Sequence, residues 1–133
     1  MREIREVIFR GKRADNGEWI EGSLLGIDWC DKPSTYSIAP NTPVSVFYSV
    51  IPETVGQYTG LTDKNGVRIF EGDIVDYISS DVIGNPKTGT IIVEDMTDYD
   101  TMIYLNHSDE LQIIGNIHDN PELLGGENNG INR

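Results

Sequence analysis

Apolar and polar residues alternate with a period of two along most of this chain, and no long stretch sustains helical periodicity. One predicted strand places on a single face the residues Val44, Val46, Tyr48 and Val50. A second row of this kind is formed by Leu111, Ile113, Gly115 and Ile117. Short alternating runs separated by turn residues are typical of an all-β protein.

Two Asx-Gly turns separate predicted strands. Asp15-Asn16-Gly17 lies between a strand over about residues 3–13 and another over about residues 18–25, and Asx-Gly supplies the positive φ angles of a tight hairpin. Asp63-Lys64-Asn65-Gly66 lies in the same way between residues 56–61 and residues 67–70. Both segments are therefore predicted to be hairpin turns.

Other regions lack this alternation. Three prolines among polar residues predict a long loop from Gly26 to Pro43, and a second loop is predicted from Ser79 to Lys87. Helix is limited to single turns near residues 52–55 and 120–124, where proline stands at the first helical position.

These elements predict an all-β fold with minor short helical turns. An N-terminal hairpin-based sheet over residues 1–66 is joined to a small SH3-like β-barrel over residues 67–124, and residues 125–133 form a flexible tail. We expect one compact unit, because residues 62–66 connect the two parts without a linker.

Composition and charge restrict the class of protein. The chain has 133 residues, with 10 Lys and Arg against 22 Asp and Glu, a net charge of −12. Its N-terminal segment MREIREVIFRGKR is charged throughout, and no apolar run approaches the ~20 residues of a membrane span. The single Cys30 excludes an intrachain disulfide framework. We expect a cytoplasmic protein of the host cell that does not bind membranes.

The charges are distributed unevenly. Half of the basic residues lie in the first thirteen positions, namely Arg2, Arg5, Arg10, Lys12 and Arg13, whereas residues 88–132 contain nine acids and no Lys or Arg. An acidic excess of this size repels nucleic acid, because phosphate contacts supply most non-specific affinity. The basic N-terminal strand has three interpretations. Its charges are neutralised by acidic residues of the same chain, they pair with the acidic half of a neighbouring subunit, or they contact the phosphates of a nucleic acid.

Four stretches of the sequence are distinctive when they are taken together. They are residues 9–12 with the following Trp19, residues 52–66 (PETVGQYTGLTDKNG), residues 69–75 (IFEGDIV) and residues 114–124 (IGNIHDNPELL). In this order they resemble the YopX family of bacteriophage and prophage proteins. The resemblance implies a β-rich fold and a phage setting, and it assigns no catalytic residues.

The residues give little support to catalysis or metal binding. Cys30 lies between Asp28 and Asp31, whose charges disfavour the thiolate, and His107 and His118 belong to no motif. Residues 94–100 are rich in carboxylates but lack the spacing and glycine of a calcium-binding loop. We therefore expect no enzymatic activity, no cofactor and no metal.

Three carboxylates in the family-like stretches have two interpretations. Glu53, Glu71 and Asp73 would serve glycosidic chemistry only if they faced one cleft. The structural interpretation places Glu53 in a first helical turn and Asp73 in a tight turn before a strand.

The predicted function is protein–protein binding by a phage or prophage accessory protein, with self-assembly into a homo-oligomer. Trp29 is a candidate interface anchor, because it lies in a polar, proline-bearing segment where a role in the core is less obvious. The full set of predicted partner-binding residues is Trp29, Arg10, Lys12, Glu53, Tyr58 and Asp73.

Two alternatives belong to other classes. An acidic β protein can imitate the phosphates of DNA and occupy a DNA-binding protein. Weak nucleic-acid binding is the second alternative, through Arg5, Arg10, Lys12 and Arg13.

Overall fold

The computed structural model describes residues 7–27, 30–31, 33–41, 46–94 and 105–124. The chain divides into two compact units, Met1–Tyr58 (unit 1) and Thr59–Arg133 (unit 2). The predicted boundary follows residue 66, whereas the units divide within a strand that precedes the second Asx-Gly turn.

Unit 1 contains an antiparallel sheet. Its strands are β1 (Phe9–Lys12), β2 (Trp19–Ile27), β3 (Thr35–Ala39), β4 (Tyr48–Ser49) and the first residues of β5 (Gly56–Thr62). Their order across the sheet is β4-β3-β2-β1-β5. A single 3₁₀ turn, Pro52–Thr54, precedes β5 and confirms the helical turn predicted there.

The first Asx-Gly turn forms the predicted hairpin between β1 and β2. Gly17 has a φ of 75°, in the left-handed region, and Arg13 N–H donates to the carbonyl of Glu18 at 2.9 Å. The register that follows places Lys12 opposite Trp19 and Arg10 opposite Glu21. A three-residue sequence signal therefore fixes which side chains share a face of the sheet.

The loop predicted from Gly26 to Pro43 is partly wrong. Residues 35–39 form β3, which pairs with the last five residues of β2. Its polar positions face away from the buried Ile38, so the segment is polar although it is a strand. Of the strand predicted over residues 44–50, the structure describes β4 at 48–49 and a bridge at Val50, and residues 42–45 lie outside the described part.

Unit 2 contains the end of β5, β6 (Arg68–Phe70), β7 (Asp73–Ser80), β8 (Pro86–Ile92) and β9 (Glu110–Asn116). β5 neighbours β6, and a separate three-stranded antiparallel sheet has the order β8-β7-β9. These strands do not close into a barrel within the part of the chain that the structure describes, so the SH3-like barrel is not confirmed. The fold as a whole is mostly β with antiparallel sheets.

The loop predicted from Ser79 to Lys87 is a short hairpin turn. β7 continues to Ser80, β8 begins at Pro86, and the Asp81 carboxylate accepts hydrogen bonds from the amides of Ile83 and Asn85. Of the strand predicted near residues 102–105, residues 102–104 lie outside the described part and residues 105–107 form a helical turn. A second 3₁₀ turn spans Pro121–Leu124, as predicted. No helix among the described residues has the length and apolar character that a membrane crossing requires.

The core of unit 2 is a cluster of buried side chains from β6, β7, β9 and the segments beside them. Its members are Ile69, Val75, Val93, Leu105 and Leu111. In unit 1 the buried hydrophobic side chains among the described residues are Ile38 and Val50. Gly11 faces both of these side chains, since a Cβ built there would lie 3.2 Å from Val50 Cβ and 3.3 Å from Ile38 Cδ1.

The second Asx-Gly turn is tied to β9 by one carboxylate. Asp63 is 7% exposed, and its Oδ1 accepts the amides of Asn65 and Val67 at 2.9 and 3.0 Å. Its Oδ2 accepts the amide of Ile113 at 3.2 Å. Burial acts to raise the pKa of Asp63, but the three amide donors outweigh it and the pKa is lowered.

Candidate functional site

One face of the unit 1 sheet carries the basic side chains of β1. Gly11 faces the core, so the alternation of a strand directs Arg10 and Lys12 to the opposite, outer face. Trp19 and Glu21 of β2 lie on the same outer face, because they stand directly opposite Lys12 and Arg10. The hairpin register thus brings two cations, one carboxylate and one indole together.

Both cations lie against the indole ring. The Cζ atom of Arg10 is 4.6 Å from the centroid of Trp19, and the Nζ atom of Lys12 is 5.5 Å from it. Both distances are within the range of cation–π attraction, which is strongest for tryptophan. We call Arg10, Lys12 and Trp19 the cation–indole patch.

The 3₁₀ turn before β5 fixes the end of β1. The hydroxyl of Thr54 accepts the amide of Lys12 at 2.9 Å and donates to the carbonyl of Ile51 at 2.6 Å. The amide of Ile51 donates in turn to the carbonyl of Lys12 at 2.9 Å. The backbone N–H and C=O of Lys12 are therefore both hydrogen-bonded. These bonds fix the backbone position from which the Lys12 side chain of the patch extends.

The outer face continues from the patch into exposed apolar residues. Leu25 and Ile27 follow Trp19 in the same alternating row of β2 and are 45% and 42% exposed. Tyr58 belongs to this face as well, because Gly56, two residues before it, stands opposite Arg10. The face combines fixed positive charge, aromatic rings and accessible apolar surface.

Arg13 forms separate contacts at the turn. Its guanidinium lies 4.1 Å from the ring centroid of Tyr48 and 2.7 Å from the carboxylate of Asp15. The hydrogen bond from Arg13 lowers the pKa of Asp15, and the same bond raises the pKa of Arg13. Asp15 is exposed and Arg13 is half-buried, and an ion pair with one partner in solvent contributes little to stability, so this pair mainly orders the turn.

The structure places the predicted partner-binding residues in different positions. Arg10, Lys12 and Tyr58 share the outer face of unit 1, and Glu53 is exposed in the 3₁₀ turn. Trp29 lies outside the described residues.

Asp73 is the exception among the predicted binding residues. It belongs to unit 2 and is 2% exposed, and its Oδ2 accepts the amide of Phe70 at 2.8 Å. The carboxylate thus has the turn-holding role of the structural interpretation and offers no surface to a partner.

Two residues of the face were not predicted as functional from the sequence, Trp19 and Thr54. The signal for Trp19 was present, since a hairpin centred on residues 14–17 aligns Lys12 with Trp19. Thr54 left no such signal, because its contact with Lys12 joins residues 42 positions apart.

Unit 2 has a shallow groove on its three-stranded sheet. The cavity has a volume of about 360 Å³, and its sheet positions are Asp76, Ile78, Thr88, Thr90, Glu110 and Gln112. Asp76 accepts a hydrogen bond from the Thr90 hydroxyl at 2.6 Å, and Glu110 lies 3.4 Å from Lys64 at the groove's margin. We call this the unit 2 groove.

The residues considered for metal binding and catalysis do not gather at the unit 2 groove. Within the described ranges, no three His, Cys, Asp or Glu side chains come close enough together to hold a metal ion. Cys30 is exposed. Neither Glu71 nor Asp73 nor His118 lines the unit 2 groove.

Comparisons with known proteins find a matching family and a similar solved structure. The profile of a family described as YopX protein matches residues 8–125. A solved structure, that of protein EF1440 from Enterococcus faecalis, is similar at 23% sequence identity and a TM-score of 0.45, covering 90% of this chain and 99% of that one. No curated protein matches the chain in sequence.

Proposed function

This chain belongs to the YopX protein family, and we propose that it is a non-enzymatic phage or prophage accessory protein that binds another protein through the outer face of unit 1. One observation carries the proposal: the cation–indole patch and the exposed Leu25 and Ile27 lie on the same face of one sheet.

This combination of residue types suits a protein partner. Arginine and tryptophan are enriched among the residues that dominate binding energies at protein interfaces, and charged rims around apolar contacts give specificity. Because Arg10 and Lys12 already lie against Trp19, less side-chain entropy is lost when a partner binds. The partner chemistry that fits is a protein surface with carboxylates beside apolar side chains.

A comparative pull-down tests the proposal. The tagged chain is incubated with nuclease-treated lysates of host and phage-infected cells, beside the double variant Arg10→Ala/Lys12→Ala. We expect a stoichiometric protein partner with the parent chain and at least about a tenfold loss with the variant, which is ~1.4 kcal/mol of binding.

The matched control is Arg68→Ala/Lys87→Ala, which removes two exposed cations from unit 2. Capture that falls equally in both variants would contradict the proposal, because it would report net charge and not the outer face. Capture that depends on intact nucleic acid, with retention on DNA at low salt lost in Arg10→Ala/Lys12→Ala, would support weak nucleic-acid binding instead.

Unit 2 supports a second candidate function, mimicry of DNA. Its sequence holds 14 acidic residues and 4 basic ones, a net charge of −10. A DNA-binding protein bound to the acidic surface of unit 2 would be released by added duplex DNA, whereas a partner of the unit 1 face would stay bound. Replacing Asp76, Asp109 and Glu110 by Asn, Asn and Gln should weaken binding of the DNA-binding protein and leave binding to the unit 1 face unchanged.

We also propose finer features of fold and location. A register shift at Ile74 and Val75 of the central strand β7, and the bonds from the second Asx-Gly turn to β9, support an SH3-like arrangement of unit 2. A single exposed cysteine suits a reducing compartment, which supports the host cytoplasm.

A further inference from the structure

We propose that a second copy of this chain is a partner of the unit 1 face, with the cation–indole patch of one copy docking in the unit 2 groove of the next. This inference rests on the proposed function, because it uses the same face and names what binds to it.

The first support is the difference in charge between the two units. Unit 1 has 6 basic and 8 acidic residues, a net charge of −2, whereas unit 2 has a net charge of −10. The outer face of unit 1 concentrates two of these cations on one indole. Although Glu21 stands opposite Arg10, this face holds two cations against one carboxylate, and the acidic unit 2 of another copy is its complement in charge.

The second support is the spacing of the charges. Arg10 and Lys12 are two positions apart on one strand, so their Cα atoms are separated by about 7 Å. Asp76 stands opposite Gln112, so Glu110 is its diagonal neighbour across β7 and β9, with a backbone separation of about 7–8 Å. Because the backbone spacings match and both cationic side chains are long, the two cations can reach the two carboxylates at once.

The third support is that both groove carboxylates are exposed and retain the capacity to accept further hydrogen bonds. Asp76 accepts one hydroxyl, from Thr90, and has further lone pairs for a guanidinium. Glu110 pairs with Lys64 at 3.4 Å, and an exposed pair of this kind contributes little to stability. Lys64 is thus the cation that an incoming patch would replace.

The contact is heterologous, because the patch and the groove are different surfaces. Each copy then keeps one free surface of each kind, so association continues until a ring closes or a filament forms. This behaviour distinguishes the proposal from a two-fold dimer, in which both copies would use the same surface.

Reciprocal charge reversal tests this contact on the full chain. The patch variant is Arg10→Glu/Lys12→Glu and the groove variant is Asp76→Lys/Glu110→Lys. Sedimentation velocity is measured at about 0.1 M salt, where the Debye length is about 10 Å. At this ionic strength the long-range repulsion between two acidic chains is screened more than the attraction between ion pairs in direct contact.

We expect the parent chain to associate with rising concentration and each variant alone to associate at least about tenfold more weakly. An equimolar mixture of the two variants should associate again, because each reversed surface meets its complement. Lys64→Ala should strengthen association of the parent chain, because it releases Glu110 from its internal pair. Circular dichroism confirms that each variant is folded.

Matched controls keep the change in net charge constant. Arg68→Glu/Lys87→Glu copies the patch variant, and Glu94→Lys/Glu122→Lys copies the groove variant, with exposed residues outside both surfaces. If the controls weaken association as much, or if the mixed variants stay monomeric, the proposal is overturned.

The two proposals can fail separately. A chain that stays monomeric at all concentrations but loses a lysate protein in Arg10→Ala/Lys12→Ala overturns self-docking and leaves the proposed function standing. A chain that associates equally with and without the patch charges, and captures nothing through them, overturns both.

Discussion

Units 1 and 2 are both built from short antiparallel strands, but they differ in core and in charge. Among the described residues, two hydrophobic side chains are buried in unit 1, whereas seven are buried in unit 2. Unit 2 also carries a net charge of −10 against −2 for unit 1. The same alternation of apolar and polar residues therefore accompanies a larger buried core in unit 2 and a smaller one in unit 1, whose outer face keeps exposed apolar residues.

The two units also use their polar side chains differently. In unit 2 the carboxylates of Asp63 and Asp73 are buried and accept backbone amides, so they stabilise turns. In unit 1 the cations lie on the outer face against an aromatic ring. The polar residues that stabilise turns in unit 2 therefore differ from the cations that we propose to bind a partner, and substitutions test this comparison.

Two fully buried isoleucines, one in each unit, give the largest expected effect. Ile69→Ala and Ile38→Ala should each cost about 2–5 kcal/mol, because each removes a fully buried side chain. We expect the larger cost for Ile69, which belongs to a cluster of five buried hydrophobic residues, whereas Val50 is the one other buried hydrophobic residue among the described residues of unit 1. Urea unfolding measures both values.

Hydrogen exchange shows where each loss falls. Ile69→Ala should reduce the protection of β7 amides and Ile38→Ala that of β2 amides. Equal loss of protection throughout the chain in both variants would show that the units unfold as one, contrary to the expectation.

Asp63→Asn should have the next largest effect, about 1–3 kcal/mol at neutral pH, because two amides of the turn and one of β9 lose a charged acceptor. The folded pKa of Asp63 is lowered, so its contribution is present above the unfolded value, which is about 3.9. The contribution is lost as the pH falls through the folded pKa.

The measurement is urea unfolding of the parent chain and Asp63→Asn from neutral to acid pH. The difference in unfolding free energy between them should shrink below about pH 4. Glu122→Gln, an exposed carboxylate in the same unit, is the control, and a difference that stays constant with pH would contradict the role of the charge.

The cation–indole patch predicts a smaller effect on stability. Arg10→Ala should cost about 1 kcal/mol, between an exposed and a desolvated cation–π contact, because Arg10 and Trp19 are both half-buried. In a Trp29→Phe background the fluorescence of Trp19 should change with Arg10→Ala and not with Lys87→Ala. Unchanged Trp19 emission in the first variant would show that the stack does not form in solution.

The pair of Arg13 and Asp15 should have the smallest effect. Asp15→Asn should change the free energy of unfolding only slightly, because Asp15 is exposed and solvent screens the ion pair. Carbon-detected NMR titration should nevertheless give Asp15 a pKa below the ordinary value, and Arg13→Ala should return it to that value. An ordinary pKa in the parent chain would contradict the ion pair.

Local signals in the sequence predicted the parts of the fold that local chemistry determines. In the two Asx-Gly turns, Gly17 and Gly66 have positive φ angles of 75° and 82°, as the Asx-Gly sequences predict. The two turns that begin with proline, at Pro52 and Pro121, are 3₁₀ helical as predicted. β3 was missed because its pairing with β2 is tertiary and its exposed positions are polar.

The candidate site was predictable to the same extent. Arg10 and Lys12 were identified because half of the basic residues lie in the first thirteen positions, and the hairpin register adds Trp19. The contact of Thr54 with Lys12 and that of Asp63 with β9 join distant positions, which alternation and turn chemistry do not encode. The unit 2 groove depends on pairing between β7, β8 and β9 and is not visible in any one of them.

The contact of Asp63 with β9 also sets an order of events during synthesis. Asp63 can bond the amides of its own turn as soon as that turn leaves the ribosome, but its third donor, Ile113, is 50 residues further along the chain. At the usual speed of translation those residues take about 3–10 s to appear. Until then the Asp63 turn has its two local hydrogen bonds but lacks the bond to Ile113. Unit 2 therefore reaches its native state only after β9, its last strand among the described residues, has been synthesised.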